Sequence, residues 1–248
     1  MTITHEDELD GLKEIGRIVA ETLQAMGRAL EPGMTTAELD AIGAELLERE
    51  GAVSAPESCY GFPGATCIST GDVIAHGIPG PEVIRAGELV NIDVSASKQG
   101  FFADTGASFR VGDVPASLKR LCTDGRKACQ IGVAQVQAGR PIAAIGVAVG
   151  QFAAKRGYTL IRNLASHGTG RALHEYPEEI ATWPNRDRRR ITDGLVLTVE
   201  PFLSRGGLWA EDGGDGWSLL ASPHAACVQY EHTVVATRGK PITVTLPG

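Results

Sequence analysis

The stretch Leu89-Val90-Asn91-Ile92-Asp93-Val94-Ser95, with Phe101-Phe102-Ala103-Asp104-Thr105 shortly after it, decides how this chain is read. Val90, Ile92 and Val94 alternate with Asn91, Asp93 and Ser95, which is the period of a β-strand. Ser97-Lys98-Gln99-Gly100 has the composition of a turn, and Phe101 to Phe109 reads as the returning strand. With Lys98 and Gln99 as a two-residue loop, Asp93 faces Asp104 with Cβ atoms ~5 Å apart. Like charges so placed destabilise a sheet, and either a shared proton or a cation between them relieves the repulsion.

Two more acids lie in strand-like segments further along. Glu200 sits in Leu195–Phe202 beside Val196, Thr198 and Val199, and Glu231 sits in Ala226–Ala236 with Val228, Thr233 and Val234. None of the four segments contains Lys or Arg. A single acid of this kind can lie on a solvated sheet face. Charged side chains are rarely buried without a partner, so four of them point to a divalent metal as the source of positive charge.

Of six histidines, His76 and His167 each precede a glycine in a loop, where backbone can approach a ligand closely. His167 and His174 are separated by a segment holding Gly168 and Gly170, which is not the His-Glu-x-x-His zinc pattern. His5 reads as solvated, His224 lies in a loop, and His232, next to Glu231, points to the opposite strand face. One histidine among four carboxylates is an oxygen-rich site that suits Mn, Fe or Co. Two ions sharing a carboxylate lie ~3.5–4 Å apart and activate water at neutral pH.

Around these residues the chain reads as α+β. Leu9, Leu12, Ile15, Val19, Leu23, Met26 and Leu30 recur at helical steps until Glu31-Pro32-Gly33. Thr35 and Glu38 have capping-box spacing for a second helix ending at Gly51. Residues 52–86 read as loop with short strands. The second half repeats the order, with helices from Pro115 to about Ala138 and over Ile142–Arg156, then loops, then strands. No linker divides the 248 residues, so one catalytic domain is expected, with related halves at about 5–113 and 114–240.

A net charge of −7 argues against a general nucleic-acid or membrane-surface binder. The chain has no signal-peptide core and no stretch near the ~18 apolar residues of a membrane span. The five cysteines form no Cys-x-x-Cys pair and read as reduced thiols. A soluble, cytoplasmic protein is expected. The run Arg186, Arg188, Arg189, Arg190 encloses Asp187 and reads as a solvated loop, with transient ribosome contact as the sharper alternative.

Taken together, Asn91-Ile92-Asp93-Val94, Asp104-Thr105, Ser166-His167-Gly168-Thr169-Gly170, His174-Glu175-x-Pro177, Thr198-Val199-Glu200-Pro201 and Gln229-Tyr230-Glu231-His232-Thr233 resemble the type I methionine aminopeptidases over about residues 5–240. The resemblance implies the pita-bread fold, with two pseudo-symmetric αβ halves around a curved antiparallel sheet. It implies Asp93, Asp104, His167, Glu200 and Glu231 as ligands of two divalent ions, with Co, Mn, Fe, Zn and Ni as candidates. It assigns His76 and His174 to the substrate amide and the tetrahedral intermediate, and proton relay to Glu200. Cys59, Phe62, Leu173 and Trp217 match the pocket for the methionine side chain.

The implied activity is removal of the initiator methionine from nascent polypeptides whose second residue is small and uncharged, by a monomer. Two positions depart from the pattern. Leu173 stands where many bacterial relatives carry an aromatic residue, and Ser166 replaces a glycine.

Three other readings compete with this one. A prolidase or Xaa-Pro aminopeptidase of the same fold usually has an extra N-terminal domain, whereas this sequence starts at the helices of the catalytic unit. A non-catalytic peptide-binding relative would lack metal ligands. A two-metal phosphoesterase would want a phosphate-binding glycine motif.

Overall fold

The structure is a computed structural model describing residues 1–248. In its first half, helices α1 (Glu6–Ala29) and α2 (Thr36–Arg49) are followed by β1 (Val53–Ser54), a short α3 (Ala55–Tyr60), β2 (Cys67–Thr70) and β3 (Val73–Ala75). The hairpin β4 (Leu89–Lys98) and β5 (Phe101–Arg110) closes it. The second half opens with α4 (Ala116–Val133) and α5 (Ala143–Arg156), then β6 (Thr159–Leu160), β7 (Ser166–Gly168) and β8 (Glu175–Ile180). After these come β9 (Val196–Val199), β10 (Phe202–Ser204), β11 (Trp209–Asp212), β12 (Leu219–Ser222), β13 (Cys227–Gln229), β14 (His232–Val235) and β15 (Ile242–Thr243).

The helices form where the apolar spacing places them. The inner face of α1 buries Leu12, Ile15, Val19, Leu23 and Met26; the last four make one core with Ile92 and Val94 of β4, and Leu12 packs with Val196, Val235 and Val244. Thr35 caps α2, accepting from the Glu38 amide while Glu38 reaches back to the Thr35 amide. A separate core joins α4 and α5 to β10 and β13 through Leu121, Cys129, Val149, Leu203 and Val228. Helix α4 ends five residues before the expected Ala138. There the chain turns so that Gln137 can pair with Thr237 beyond β14.

Strand β4 pairs with β5 along its length and with β2 and β1 over separate stretches. The other large sheet runs β15-β14-β9-β7-β8. A bridge between Ala107 and Tyr230 joins the hairpin to the second half.

The hairpin register differs from the expected one by a single step. The loop is Gln99-Gly100, with φ of 52° and 79°, so Lys98 pairs with Phe101. Two positive φ values match the twist of the flanking strands, and glycine accepts the second freely. Asp93 therefore faces Gly106, and Asp104 faces Ser95. The two carboxylates are diagonal neighbours on one face, not an opposed pair. This leaves more space between them than direct opposition would.

A second correction concerns the later strands. Leu195–Phe202 and Ala226–Ala236 are each broken, the first at Glu200-Pro201 and the second at Tyr230-Glu231. Pro201 cannot donate to a ladder, so a break there is expected chemistry. Both glutamates thus lie at bends between strands.

No helix is long and apolar enough to cross a membrane. In the arginine run, Arg189 is held by Asp187 and the Glu179 carbonyl, and Arg190 donates to the Gly139 carbonyl. Arg186 and Arg188 are exposed.

Candidate metal centre and cleft

The diagonal acids of the hairpin and the glutamates at the two bends converge on one point. Asp104 is fixed through its backbone, exchanging hydrogen bonds of 2.9 and 2.8 Å with the Thr233 hydroxyl. The Glu231 amide donates to Gly106 O at 2.9 Å, and Thr105 Oγ1 donates to Glu231 O at 2.8 Å. Hairpin and bend are therefore clamped together by one main-chain bond and by the hydroxyls of Thr105 and Thr233. The side-chain amide of Gln229 spans two of the acids, donating to Asp93 Oδ2 at 3.3 Å and Glu231 Oε2 at 2.8 Å. Its own oxygen accepts from Asn91 Nδ2 at 2.9 Å. Gly106 has to be glycine here, because a Cβ would lie 2.4 Å from Gln229 Oε1.

The Glu200 bend is held separately. Its amide donates to Ser166 Oγ at 2.9 Å, and Thr198 Oγ1 donates to Glu200 Oε1 at 2.7 Å. The same Thr198 oxygen accepts the His167 amide at 3.0 Å. Ser166, one of the two departures from the family pattern, is therefore an acceptor that fixes Glu200.

The His167 ring lies with Nδ1 3.0 Å from Gly168 O. A carbonyl only accepts, so Nδ1 carries the proton and Nε2 keeps its lone pair. That Nε2 lies 3.5 Å from Glu200 Oε1 and 3.8 Å from Asp104 Oδ2. Desolvation, followed by repulsion from His174, drops the His167 pKa to about 3, so the ring is neutral.

The acids show the opposite strain. Burial pushes Asp93 up to about 6 and raises Asp104, Glu200 and Glu231 well above the usual carboxylate range. Asp93 and Glu200 repel Asp104, while Asp104, Glu200 and Asp93 repel Glu231. Asp104 Oδ1 and Glu231 Oε1 are buried with no hydrogen-bond partner. Such oxygens are costly unless a cation meets them. Donor atoms of Asp104, His167 and Glu231 lie within 4.8 Å of one another, close enough to share an ion. Four carboxylates and one neutral imidazole with a free lone pair fit hard or borderline divalent metals.

The centre forms the floor of a cavity of about 270 Å³ lined also by Phe62, His76, Leu173, His174 and Trp217. Phe62 and Trp217 meet edge to face with centroids 5.2 Å apart. Leu173 is buried. His76 stands at φ 53°, a conformation rare outside glycine and frequent at functional sites. Desolvation lowers the pKa values of both His76 and His174, and His76 further depresses His174.

One expected lining residue is misplaced. Cys59 is exposed and lies outside the cavity, which Pro56 and Tyr60 line instead. The cause is α3, in a region read as loop and short strands. Pro56 and Tyr60, one turn apart on α3, both line the cavity, and Cys59 does not. The cues for α3 were Ser54 as N-cap, Pro56 in the first turn and Gly61 at φ 69° after the end.

Residues 10–238 match metallopeptidase family M24. The chain belongs to that family. It is 44% identical over 247 residues to methionine aminopeptidase 2 of Bacillus subtilis, covering 99% of each chain. It superposes on a methionine aminopeptidase of Rickettsia prowazekii with a TM-score of 0.94 at 30% identity, covering 99% of this chain and 100% of the other. A prolidase of Pyrococcus horikoshii shares the fold at a TM-score of 0.78 and 20% identity, and this chain covers 64% of it. The pita-bread fold expected from the motifs is the fold observed.

Proposed function

We propose that this M24 metallopeptidase is a methionine aminopeptidase, removing N-terminal methionine from polypeptides whose second residue is small and uncharged. The observation that carries this reading is the pairing of two buried, partnerless carboxylate oxygens, on Asp104 and Glu231, with a cavity that Asp104 lines together with the apolar Phe62, Leu173 and Trp217. The full-length similarity to a methionine aminopeptidase supports the substrate.

In this reading Asp93, Asp104, His167, Glu200 and Glu231 would hold two divalent ions, drawn from Co, Mn, Fe, Zn or Ni. Bound there, the ions supply Lewis acidity and an activated water. The chain's residues do the rest. Phe62, Leu173 and Trp217 take the methionine side chain and exclude water from it. The Thr198 hydroxyl holds Glu200 Oε1 in place, and the other carboxylate oxygen accepts a proton and returns it to the leaving amine. His76 contacts the substrate amide, and His174 donates to the oxygen on which charge develops.

The substrates are nascent chains in the cytoplasm, met by a monomer. The test is hydrolysis of Met-Ala-Ser and of Xaa-Pro peptides by metal-loaded enzyme. Methionine release with Xaa-Pro peptides intact is expected. Cleavage of Xaa-Pro alone would move the chain to the prolidase branch.

A further inference from the structure

Tyr60 belongs to none of the expected site residues, yet its hydroxyl lies 2.7 Å from Nδ1 of His174. The rings are 5.6 Å apart and tilted by 58°. The bond crosses the mouth of the cleft, from α3 in the first half to the segment between β7 and β8 in the second. Tyr60 is 51% exposed, so burial does not force this contact.

The partner chemistry of the two adjacent imidazoles differs. The His167 and His174 rings lie 4.0 Å apart. His167 Nδ1 faces a carbonyl, which can only accept, so its Nε2 is a bare lone pair suited to a metal. His174 Nδ1 faces a phenol, which can donate. With the phenol proton on Nδ1, the imidazole keeps its own hydrogen on Nε2. The reverse tautomer would present a lone pair to an oxygen gaining negative charge and would repel it.

We propose that Tyr60 is a positioning residue that holds His174 in its Nε2–H tautomer and orients that hydrogen toward the reacting carbonyl. The proposal rests on the role given to His174 above. Neighbouring histidines in one cleft are thus set to opposite tasks by their Nδ1 partners, a carbonyl for the ligand and a phenol for the donor.

The experiment compares metal-loaded wild type, Tyr60→Phe, His174→Ala and the double variant on Met-Ala-Ser. It also reads the His174 tautomer from ¹⁵N shifts of the zinc-loaded proteins. Tyr60→Phe is expected to lower kcat by about 10- to 100-fold with KM and metal content unchanged. It is also expected to move His174 away from a pure Nε2–H form and to have no further effect in the His174→Ala background. Unchanged kcat and tautomer in Tyr60→Phe, with His174→Ala impaired, would overturn the Tyr60 proposal alone. An equal loss from Tyr60→Phe with and without His174 would overturn it too, since the hydroxyl would then act elsewhere. An unimpaired His174→Ala would remove the role of His174 and this proposal with it.

Discussion

The hairpin β4–β5 and the broken strands of the second half each bring two carboxylates to the same centre, but by different means. In the hairpin, Asp93 and Asp104 lie within continuous strands, and register alone places them on one face. In the second half the ladder stops, and Glu200 and Glu231 project from bends held by individual hydrogen bonds. A ladder shares its load over many bonds, whereas a bend depends on the few that hold it. The first half is therefore the rigid wall of the centre. The second half is the wall that single substitutions can shift.

The largest effect should come from the hairpin wall. Asp104→Ala removes a proposed ligand whose buried oxygen has no hydrogen-bond partner. Several kcal/mol of charge stabilisation goes with it, so methionine release should fall more than ~100-fold. Metal analysis of the purified variant should show reduced occupancy. Retained activity with full metal content would place the reaction elsewhere.

Metal removal sharpens the comparison through pH. With the ions stripped, Asp93 has a folded pKa of about 6 against an ordinary value of 3.8, because burial favours its neutral form. Asp104, Glu200 and Glu231 shift in the same direction. A raised carboxylate pKa contributes stability that is complete below the unfolded value and is lost as pH rises through the folded one. Metal-free protein should therefore lose Tm as pH rises from about 4 through 6 and beyond. His167, with its pKa lowered to about 3, and His76, His174 and His232, lowered too, contribute the opposite way, their stability fading as pH falls below about 6.5, so the loss from the acids stands clearest above that pH. Metal-loaded protein should show little of the loss at rising pH. A flat Tm profile for the stripped protein, measured by calorimetry, would contradict the account of the four acids.

The two walls can then be separated. Gln229→Leu removes the amide that spans Asp93 and Glu231, one acid from each wall, and should weaken metal affinity by about 10- to 100-fold. Ser166→Ala touches the second wall alone. It strips the Glu200 amide of its acceptor, at a cost of about 1–3 kcal/mol in stability. Chemical denaturation and metal titration of both variants would read these effects. An undiminished Ser166→Ala protein would mean the Glu200 bend is held by Thr198 and its neighbours without Ser166.

The same contrast explains what could be read from the sequence. The hairpin acids were visible because alternation has period two, though the turn was misplaced by one residue. Gly100, free to take a positive φ, was the cue for Gln99-Gly100 as the central pair. Glu200 and Glu231 stood out as acids in apolar runs, but their bends did not. Pro201 hinted at one, and nothing local marks Tyr230-Glu231. The meaning of Ser166 could not be read, because its partner Glu200 comes near it only through folding. Tyr60 is hard to read from the sequence for another reason. Six residues are too few to show helical periodicity, so the phase that brings Tyr60 rather than Cys59 to the cavity is hidden.

The central claim is that acids from both halves make one metal centre and that this centre performs the reaction. The most direct test is to titrate metal into stripped protein while measuring ions bound per chain and methionine released from Met-Ala-Ser on the same samples. Release that rises with occupancy toward two ions per chain, and that is absent in Asp104→Ala, is the predicted result. Release from protein without bound metal, or full activity in Asp104→Ala, would contradict it.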